Sequence, residues 1–386
     1  MVEIVVTGIG LVSALGTSLE ESWQRLIAGK SGIKVHQPFP ELAPLPLGLI
    51  SQQPANLRML TQQVVDAALE DAGLLTPLPN CAVVIGSSRS YQAVWEKLAR
   101  DMYKKCPSQD SDVMGARLED WLETLPHMNA IASARRIGTT GAVLAPMAAC
   151  ATGIWAIAQA AWLIETGQYE RAIAGATEAP ITPLTICGFE KMGALAKTGA
   201  YPFDLHREGL VLGEGGAVFV LESKALAQKR QAKIYGQVLG FGFTADAYHP
   251  NQPDLEGRGA IAAIKQALEY SRIQADDLDY IHAHGTATRL NDQMESVVIN
   301  KLFTHPIAVS STKGATGHTL GASGALGVAF TLLGMQHHIL PPNIGLHQSE
   351  FDLNLVRAAY HSQIRKALCC GFGFGGQNAV IVLSNK

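Results

Sequence analysis

Charge is scarce in this sequence: Asp, Glu, Lys and Arg make up only 16% of the 386 residues, while apolar residues make up 47%. So little charge predicts a large buried interior and an apolar interface with another subunit. The net charge of −3 offers no basic field, which argues against nucleic acid as a partner. The length predicts two domains, or two halves of one large domain.

Metal-binding and export signals are also missing. The six cysteines show no CxxC spacing, which argues against a zinc site and against a disulfide framework. No apolar run approaches the ~18–20 residues of a membrane-spanning helix. The start, MVEIVVTGIG, has neither the basic region nor the apolar stretch of a secretory signal. We therefore expect a cytoplasmic protein that has no membrane partner.

Short apolar runs alternate with helical segments along the chain. Runs such as Glu3–Thr7, Ala82–Gly86 and Arg171–Ala176 are typical of strands that are covered on both faces. Segments such as Ala151–Glu165 and Ala322–Met335 have the spacing and composition of buried helices. The alternation predicts a layered α/β fold.

A weak internal repeat supports two similar halves. The segment 213–221 resembles 373–383, since each is a glycine turn followed by a buried strand. The Ala-rich helix after Cys150 resembles the one after His318. We predict an N-terminal half at 1–230 and a C-terminal half at 231–386, with a polar, mostly helical insertion at about 88–123.

Cys150 is the first candidate for chemistry. In Met147–Gly153 an apolar strand runs into small residues, then Cys150, then a long helix. This order predicts a thiol at a helix N-terminus, where the dipole and free amides favour the thiolate. Taken alone, however, such a cysteine is more often an inert core residue.

Two loop histidines and a lysine change that balance. His284 follows a buried strand, and Lys313 and His318 lie five residues apart on a glycine-broken loop. Polar side chains in so apolar a setting need partners or a function. Asp292 and Glu295 are available to pair with Lys313 or to orient a histidine. Each histidine by itself is as readily structural as catalytic.

A glycine loop near the C-terminus completes the set. The segment 370–376, CGFGFGG, is either a tight turn before the last strand or a hinged gate with a usable backbone amide. One cysteine, two histidines, one lysine and this loop fit acyl transfer followed by carbanion chemistry. That chemistry needs no metal.

Eight motifs in a fixed order carry a family resemblance. The sequence resembles the elongating β-ketoacyl-acyl carrier protein synthases, which are condensing enzymes of the thiolase-like superfamily. The motifs are VVTGIGLVSALG (5–16), ALEDAGL (68–74), AACATG (148–153), GATEAPITPL (175–184), YPFD with REGLVLGEGG (201–216), HGTATRLND (284–292), STKGATGH (311–318) and GFGFGG (371–376).

The resemblance implies a fold, a reaction and a role for each site residue. The fold is α/β, a duplicated five-layer αβαβα arrangement with two mixed sheets. The reaction extends an acyl thioester by a malonyl unit, in fatty acid or related lipid and polyketide biosynthesis. The implied partners are acyl- and malonyl-acyl carrier protein and a second copy of the chain, with no cofactor. The implied roles are nucleophile for Cys150, malonyl decarboxylation for His284 and His318, electrostatic support for Lys313 with Asp292 and Glu295, and a gate for Phe374, whose amide forms an oxyanion hole with that of Cys150.

Departures from the family pattern concern recognition rather than chemistry. The basic run before the first long helix is reduced to Arg58, and Tyr201 stands where arginine is common. Both positions are associated with docking an acidic carrier protein, so we expect weak electrostatic steering. The segment 86–92, GSSRSYQ, replaces a glycine-rich stretch that shapes the acyl pocket and dimer contact. His127 and Gln377 replace asparagine and threonine.

Four other functions were weighed. TGIGLVSALG does not make a dinucleotide site, because Ser13 stands at the third glycine position. A papain-like hydrolase leaves the second histidine and Lys313 without a role. Cys369 or Cys370 could suggest a biosynthetic thiolase, but thiolases lack this histidine pair. A partner or chain-length-setting subunit of a specialised condensing complex stays open as the alternative, although Cys150 argues against it.

Overall fold

The computed structural model describes residues 2–105 and 121–385. Residues 106–120 of the predicted polar insertion, which include Cys106, lie outside this part. The helices are α1 (Leu19–Ile27), α2 (Leu57–Asp71), α3 (Gln92–Lys105), α4 (Met128–Ile137), α5 (Thr152–Glu165), α6 (Pro183–Lys191), α7 (Lys224–Lys229), α8 (Arg258–Ser271), α9 (Arg289–Leu302), α10 (Lys313–Thr316) and α11 (Ser323–His337), with 3₁₀ turns at Ala275–Asp277 and Leu320–Ala322.

The strands form one large mixed sheet and two short hairpin-like pairs. They are β1 (Ile4–Ser13), β2 (Lys34–His36), β3 (Leu45–Leu47), β4 (Ala82–Gly86), β5 (Val143–Leu144), β6 (Arg171–Glu178), β7 (Gly215–Ser223), β8 (Gly236–Ala245), β9 (Tyr280–His282), β10 (Ala308–Ser310), β11 (Ile339–Leu340), β12 (Asn354–Leu355), β13 (Tyr360–His361), β14 (Lys366–Gly373) and β15 (Gln377–Ser384). The large sheet has the order β12-β10-β9-β14-β15-β8-β1-β7-β6-β4-β5, and β2 pairs with β3 and β11 with β13.

The large sheet consists of an N-terminal block (β1 and β4–β7) and a C-terminal block (β8–β10, β12, β14 and β15). The blocks meet where β1 pairs with β8 through three residue pairs, the first being Ile4 with Val238. Elsewhere β1 pairs with β7 along its length, and β8 pairs with β15. The two mixed sheets expected from the sequence therefore join edge to edge into one hydrogen-bonded sheet. The division at residue 230 stays a prediction.

Local sequence explains where the helices begin. The Ser18 hydroxyl accepts the Glu21 N–H ahead of α1, and the Asn56 side chain accepts the Met59 N–H ahead of α2. These side chains satisfy amides that the first helical turn leaves free. Among the described residues, no helix is long and apolar enough to span a membrane.

The helices α5 and α11 pack against each other between strands of the two blocks. Both are almost wholly buried. Gly153 permits their close approach, because a Cβ there would lie 2.6 Å from the backbone nitrogen of Ala325. This contact matters for the site, because Cys150 directly precedes α5 and His318 precedes α11.

Candidate active site

Three of the predicted site residues lie just beyond the end of a strand. His284 follows β9, Lys313 follows β10 and Phe374 follows β14. These three strands are parallel neighbours, so their carboxyl ends meet at one edge of the sheet. Cys150 reaches the same place from the turn before α5, and His318 from the turn before α11.

The turn that presents Cys150 is strained. Ala149 has φ +47°, in the left-handed region that a residue with a Cβ seldom adopts. Thr152 stabilises the turn: its Oγ1 accepts the Ala148 N–H at 2.8 Å and donates to the Ala149 carbonyl at 2.7 Å. Gly373 packs beneath, since a Cβ there would lie 3.0 Å from the Cys150 nitrogen. The sequence predicted the turn but not the strain at Ala149.

The sulfur of Cys150 and one ring nitrogen each of His284 and His318 lie within 4.8 Å of one another. All three side chains are buried, and the centroids of the two imidazole rings are 5.3 Å apart. The structure therefore brings together the nucleophile and the histidine pair predicted from the sequence.

Three such donor atoms are enough to bind a divalent metal ion. The electrostatics of the site oppose one, however. The ammonium group of Lys313 is buried beside the trio, and its charge lowers the pKa of both His284 and His318. The same repulsion acts on any added cation.

The two histidines are held firmly and kept neutral. A hydrogen bond of 2.7 Å joins His318 Nδ1 and Ser323 Oγ, and the His318 N–H donates to the Val211 carbonyl at 2.6 Å. Burial first, then the nearby Lys313 charge, lowers the pKa of His284 and His318 well below the usual value. At neutral pH both rings are therefore uncharged and each carries one N–H donor.

Glu295 and Lys313 position His284 through its backbone. Glu295 accepts the His284 N–H at 2.7 Å, the Gly285 N–H at 2.5 Å and the Asn291 side-chain amide at 2.7 Å. The Lys313 ammonium donates to the His284 carbonyl. Burial lowers the pKa of Lys313 and raises that of Glu295. Each charge favours the ionised form of the other across the site.

Asp292 lies one step further from the chemistry. It accepts the Phe203 N–H at 2.8 Å, and Arg207 lies 3.9 Å away. Burial raises the pKa of Asp292 to about 6. In the described part of the chain no carboxylate oxygen lies within 4 Å of the Lys313 ammonium. Of the two roles that the sequence left open, Glu295 thus has the orientation of a histidine, and its contribution to Lys313 is electrostatic without direct contact.

The thiol of Cys150 has a raised pKa. Burial raises it to about 11, against the opposing charges of Lys313 and Arg89 and a hydrogen bond from the Phe374 amide. The expectation that the helix N-terminus makes the thiolate the favoured form is thus wrong, because desolvation of the sulfur is the larger effect.

Phe374 lies on a loop whose backbone only glycine adopts easily. Gly375 and Gly376 have φ of +81° and +73°, and Gly375 has open space around it. The Phe374 ring lies 5.8 Å from that of Phe189. The glycine loop thus brings Phe374 into the apolar cluster that also contains Cys150, and its role as a gate stays a prediction.

A cavity of about 930 Å³ leads to the site. Cys150, His284, His318 and Phe374 line it, whereas Lys313, Asp292 and Glu295 do not. Two cationic residues at its mouth, Lys197 and Arg289, were not found from the sequence. Each is a single exposed charge in an unremarkable stretch, and only the fold brings them together.

Glu178 is a third residue that the sequence did not reveal. Its fully buried carboxylate at the end of β6 accepts five hydrogen bonds. They come from Ser87 Oγ (2.7 Å), Ser88 N (2.7 Å) and Oγ (2.6 Å), Arg89 N (3.0 Å) and Gly321 N (3.1 Å). Glu178 therefore ties the loop after β4 to the turn that carries His318. The acidic residue in GATEAP was the available signal.

Comparison with known proteins identifies the family. The sequence profile of the β-ketoacyl synthase N-terminal domain matches residues 53–227, and that of the C-terminal domain matches residues 235–347. The chain belongs to the β-ketoacyl synthase family. A putative mitochondrial 3-oxoacyl-acyl-carrier-protein synthase of Schizosaccharomyces pombe is 34% identical, over 98% of each chain. A 3-oxoacyl-acyl-carrier-protein synthase 2 of Coxiella burnetii is also 34% identical, over 99% of this chain and 98% of the other.

A solved structure shows the same fold. It is described as a type II polyketide synthase acyl-carrier protein in complex with its ketosynthase bound to the hexaketide, with a TM-score of 0.93, 27% identity and full coverage of both chains. The predicted family and the thiolase-like α/β fold are therefore confirmed.

Four single-residue departures from the family pattern, at positions 58, 127, 201 and 377, can be located in the structure. Arg58 pairs with Glu123 at 3.0 Å, so the one remaining cation of that stretch is already partnered. His127 precedes α4 without capping it by its side chain. Gln377 pairs with Ala245 across β15 and β8. Tyr201 is half-buried. In this β-ketoacyl synthase the predicted site residues thus converge on one cavity, while several surrounding positions differ from the family pattern.

Proposed function

We propose that this β-ketoacyl synthase catalyses the decarboxylative condensation of an acyl group on Cys150 with malonyl-acyl carrier protein. The observation that carries the proposal is the convergence of the Cys150 sulfur and the ring nitrogens of His284 and His318 within 4.8 Å, at the base of the 930 Å³ cavity. A nucleophile beside two neutral hydrogen-bond donors is what this reaction needs.

In the first step the Cys150 sulfur attacks the acyl thioester carbon. The amides of Cys150 and Phe374 are placed to stabilise the oxyanion. The bond between the acyl carbon and the carrier sulfur breaks, and the proton of the Cys150 thiol leaves on the carrier thiol.

In the second step malonyl-acyl carrier protein enters and loses carbon dioxide. The enolate oxygen accepts hydrogen bonds from His284 and His318. With Ser323 donating to Nδ1, the proton of His318 lies on Nε2, free to face the cavity. The carbanion then attacks the acyl carbon, the bond to Cys150 breaks, and the released thiolate takes one proton from solvent.

The carrier protein and a second copy of this chain are the proposed partners. A carrier is supported by the cations Lys197 and Arg289 at the cavity mouth, since carrier proteins are acidic. A homodimer is supported by β5, an edge strand in the sheet, where Leu144 and Met147 are 38% and 55% exposed. We also propose 1–230 and 231–386 as the two halves, supported by the short contact between β1 and β8.

A cysteine-directed inhibitor of condensing enzymes tests the reaction. Incubation followed by peptide mass spectrometry should place the label on Cys150, and prior acylation should block it. Cys187, which is half-buried and outside the cavity lining, is the internal control. Labelling elsewhere, or none, would sink the catalytic proposal and favour the partner-subunit alternative.

A further inference from the structure

Arg89 occupies a fixed place near the nucleophile. β4 ends at Gly86, and the chain then wraps around the Glu178 carboxylate, which accepts the Arg89 N–H at 3.0 Å. The next residue, Ser90, has φ +50° and donates its N–H to Ser87 Oγ at 2.9 Å. Both contacts hold the backbone of Arg89 in one position, so the Cα atom from which its side chain extends is fixed.

The guanidinium group of Arg89 lies against the aromatic pair beside the thiol. Its central carbon is 5.7 Å from the ring centroid of Phe189, and that ring is 5.8 Å from the ring of Phe374. The Arg89 charge acts on the Cys150 thiol, lowering its pKa against the larger effect of burial. The cation is therefore within electrostatic reach of the sulfur.

Arg89 also has no counter-ion within the described residues. The side chain is half-buried, and its guanidinium makes no hydrogen bond and no ion pair within 2–105 and 121–385. A guanidinium group that is partly removed from water gains most from a carboxylate, which it can bind through two parallel hydrogen bonds. An apolar neighbour offers no such compensation.

An acyl group bound to Cys150 would extend towards Arg89. The incoming malonyl unit must occupy the space in front of His284 and His318, so an acyl group on Cys150 has to extend away from them. Cys150 packs in an apolar cluster with Ile181, Ile186, Phe189, Leu320 and Phe374, and we place the acyl group along this cluster. Neither Phe189 nor Arg89 lines the 930 Å³ cavity. At the far end of the cluster the Phe189 ring therefore lies between the apolar side chains and the Arg89 guanidinium group.

We propose that Arg89 is a specificity-determining residue that selects short acyl groups carrying a carboxylate at their far end. The proposal rests on the acyl transfer to Cys150 described above. The transfer itself is unchanged: the Cys150 sulfur bonds to the acyl carbon, the thioester bond breaks, and the released thiol carries the proton. Arg89 touches only the distal carboxylate, and unbranched alkyl chains of equal length lack that contact.

Two thioesters of equal carbon count test this. Adipoyl and hexanoyl thioesters of a small thiol are offered together, and mass spectrometry of the intact protein gives the ratio of the two acyl groups on Cys150. The wild-type chain should favour adipoyl by about tenfold or more, as expected for one charge-assisted contact. Arg89→Leu should reverse the preference, Arg89→Lys should keep part of it, and the matched control Arg136→Leu, an exposed arginine on α4, should leave it unchanged.

The ratio separates failure of this inference from failure of the proposed function. Equal loading of both acyl groups by the wild-type chain, or a ratio that Arg89→Leu does not change, overturns the role of Arg89 while leaving acyl transfer intact. No acylation of Cys150 by either thioester overturns the proposed function instead. If thermal unfolding shows that Arg89→Leu does not fold, the ratio is measured on Arg89→Gln instead. The ratio does not depend on the amount of folded protein, because both acyl groups compete for the same protein molecules.

Discussion

The carboxylate of Glu295 accepts the backbone N–H of His284 at 2.7 Å, so the position of this imidazole is set through the peptide rather than through the ring. The Lys313 ammonium donates a hydrogen bond to the backbone carbonyl of the same residue. The ring nitrogens of His284 thus stay available to the cavity while buried charges fix the backbone. Neither Glu295 nor Lys313 lines the cavity, and both are positioning residues.

Substitution of the nucleophile should separate the two steps of the reaction. Cys150→Ala should abolish condensation, because no acyl group can be held. Cys150→Gln should retain release of carbon dioxide from malonyl-carrier, because the histidine pair is untouched and an amide mimics the acylated sulfur. Carbon dioxide release and product formation are measured side by side. A glutamine variant that neither binds malonyl-carrier nor decarboxylates it would disprove the role of His284 and His318.

Removal of the buried cation should cost both stability and activity. Lys313→Ala leaves Glu295 without a compensating charge, and we expect a loss of about 3 kcal/mol in the free energy of unfolding. Urea denaturation measures it, with the exposed Lys301→Ala as the control. Lys313→Met combined with Glu295→Gln should recover stability but not condensation. Full activity in that double variant would contradict the positioning role.

Acid should destabilise the fold through His282, which packs behind the site. Burial and the charge of Lys313 lower the pKa of His282 to about 3. The unfolded chain binds this proton near pH 6.5 and the folded chain does not, so the stabilisation is complete above pH 6.5 and is lost as pH falls towards 3. One such proton contributes about 1.4 kcal/mol per pH unit.

His282→Gln should therefore flatten the dependence of unfolding free energy on pH between about 6 and 4 by one proton. Urea midpoints across this range measure the slope, which is independent of any uniform loss of stability. The half-exposed His305→Gln serves as the control. An unchanged slope in the His282 variant would show that this ring already binds a proton in the folded protein.

Two glycine-to-alanine substitutions should change the free energy of unfolding in opposite directions. Gly153→Ala places a Cβ 2.6 Å from the Ala325 nitrogen, so α5 and α11 must separate at a cost of about 1–3 kcal/mol. Gly188→Ala on α6 meets nothing within 4 Å and should stabilise the helix by up to about 1 kcal/mol. Thermal unfolding of both variants measures the difference. A neutral Gly153→Ala would mean that the two helices are less closely packed.

Carrier recognition should depend on the cavity mouth rather than on Arg58. Lys197→Glu and Arg289→Glu should each raise KM for the carrier substrate severalfold with little change in kcat. Arg58→Glu should have a smaller effect, because Arg58 is already paired with Glu123. Steady-state kinetics at low and high salt measure this, with Lys229→Glu as the control. The reduction of the basic run to Arg58 and the presence of Tyr201 where arginine is common also predict weak turnover with a generic bacterial carrier.

The sequence predicted which side chains meet at the cavity, because motifs record which atoms must come together. Cys150, His284, His318 and Phe374 converge as their motifs indicated. It did not predict the thiol pKa, since a helix N-terminus is visible in a sequence whereas the degree of burial is not. The partners of Asp292 and Glu295 were only partly predicted, because charges near in sequence suggest ion pairs while the fold offers them backbone amides.

Residues outside recognisable motifs were found only in the fold. Arg89 in GSSRSYQ was noted as part of a changed segment, but its proximity to Phe189 depends on a strand and a helix about a hundred positions apart. Glu178 lay within a recognised motif, yet its five donors come from two stretches far from it in sequence, 87–89 and Gly321. Such long-range convergence has no signature in local spacing.

The hydrogen bonds to Glu178 couple the synthesis of the chain to its folding. A carboxylate without exposure to solvent needs its full set of donors, and one of these, Gly321, is translated long after the strand that carries Glu178. An N-terminal fragment ending near residue 230 would therefore hold an incompletely satisfied anion at its centre. The first half of the protein has to wait for the second before its own core is finished.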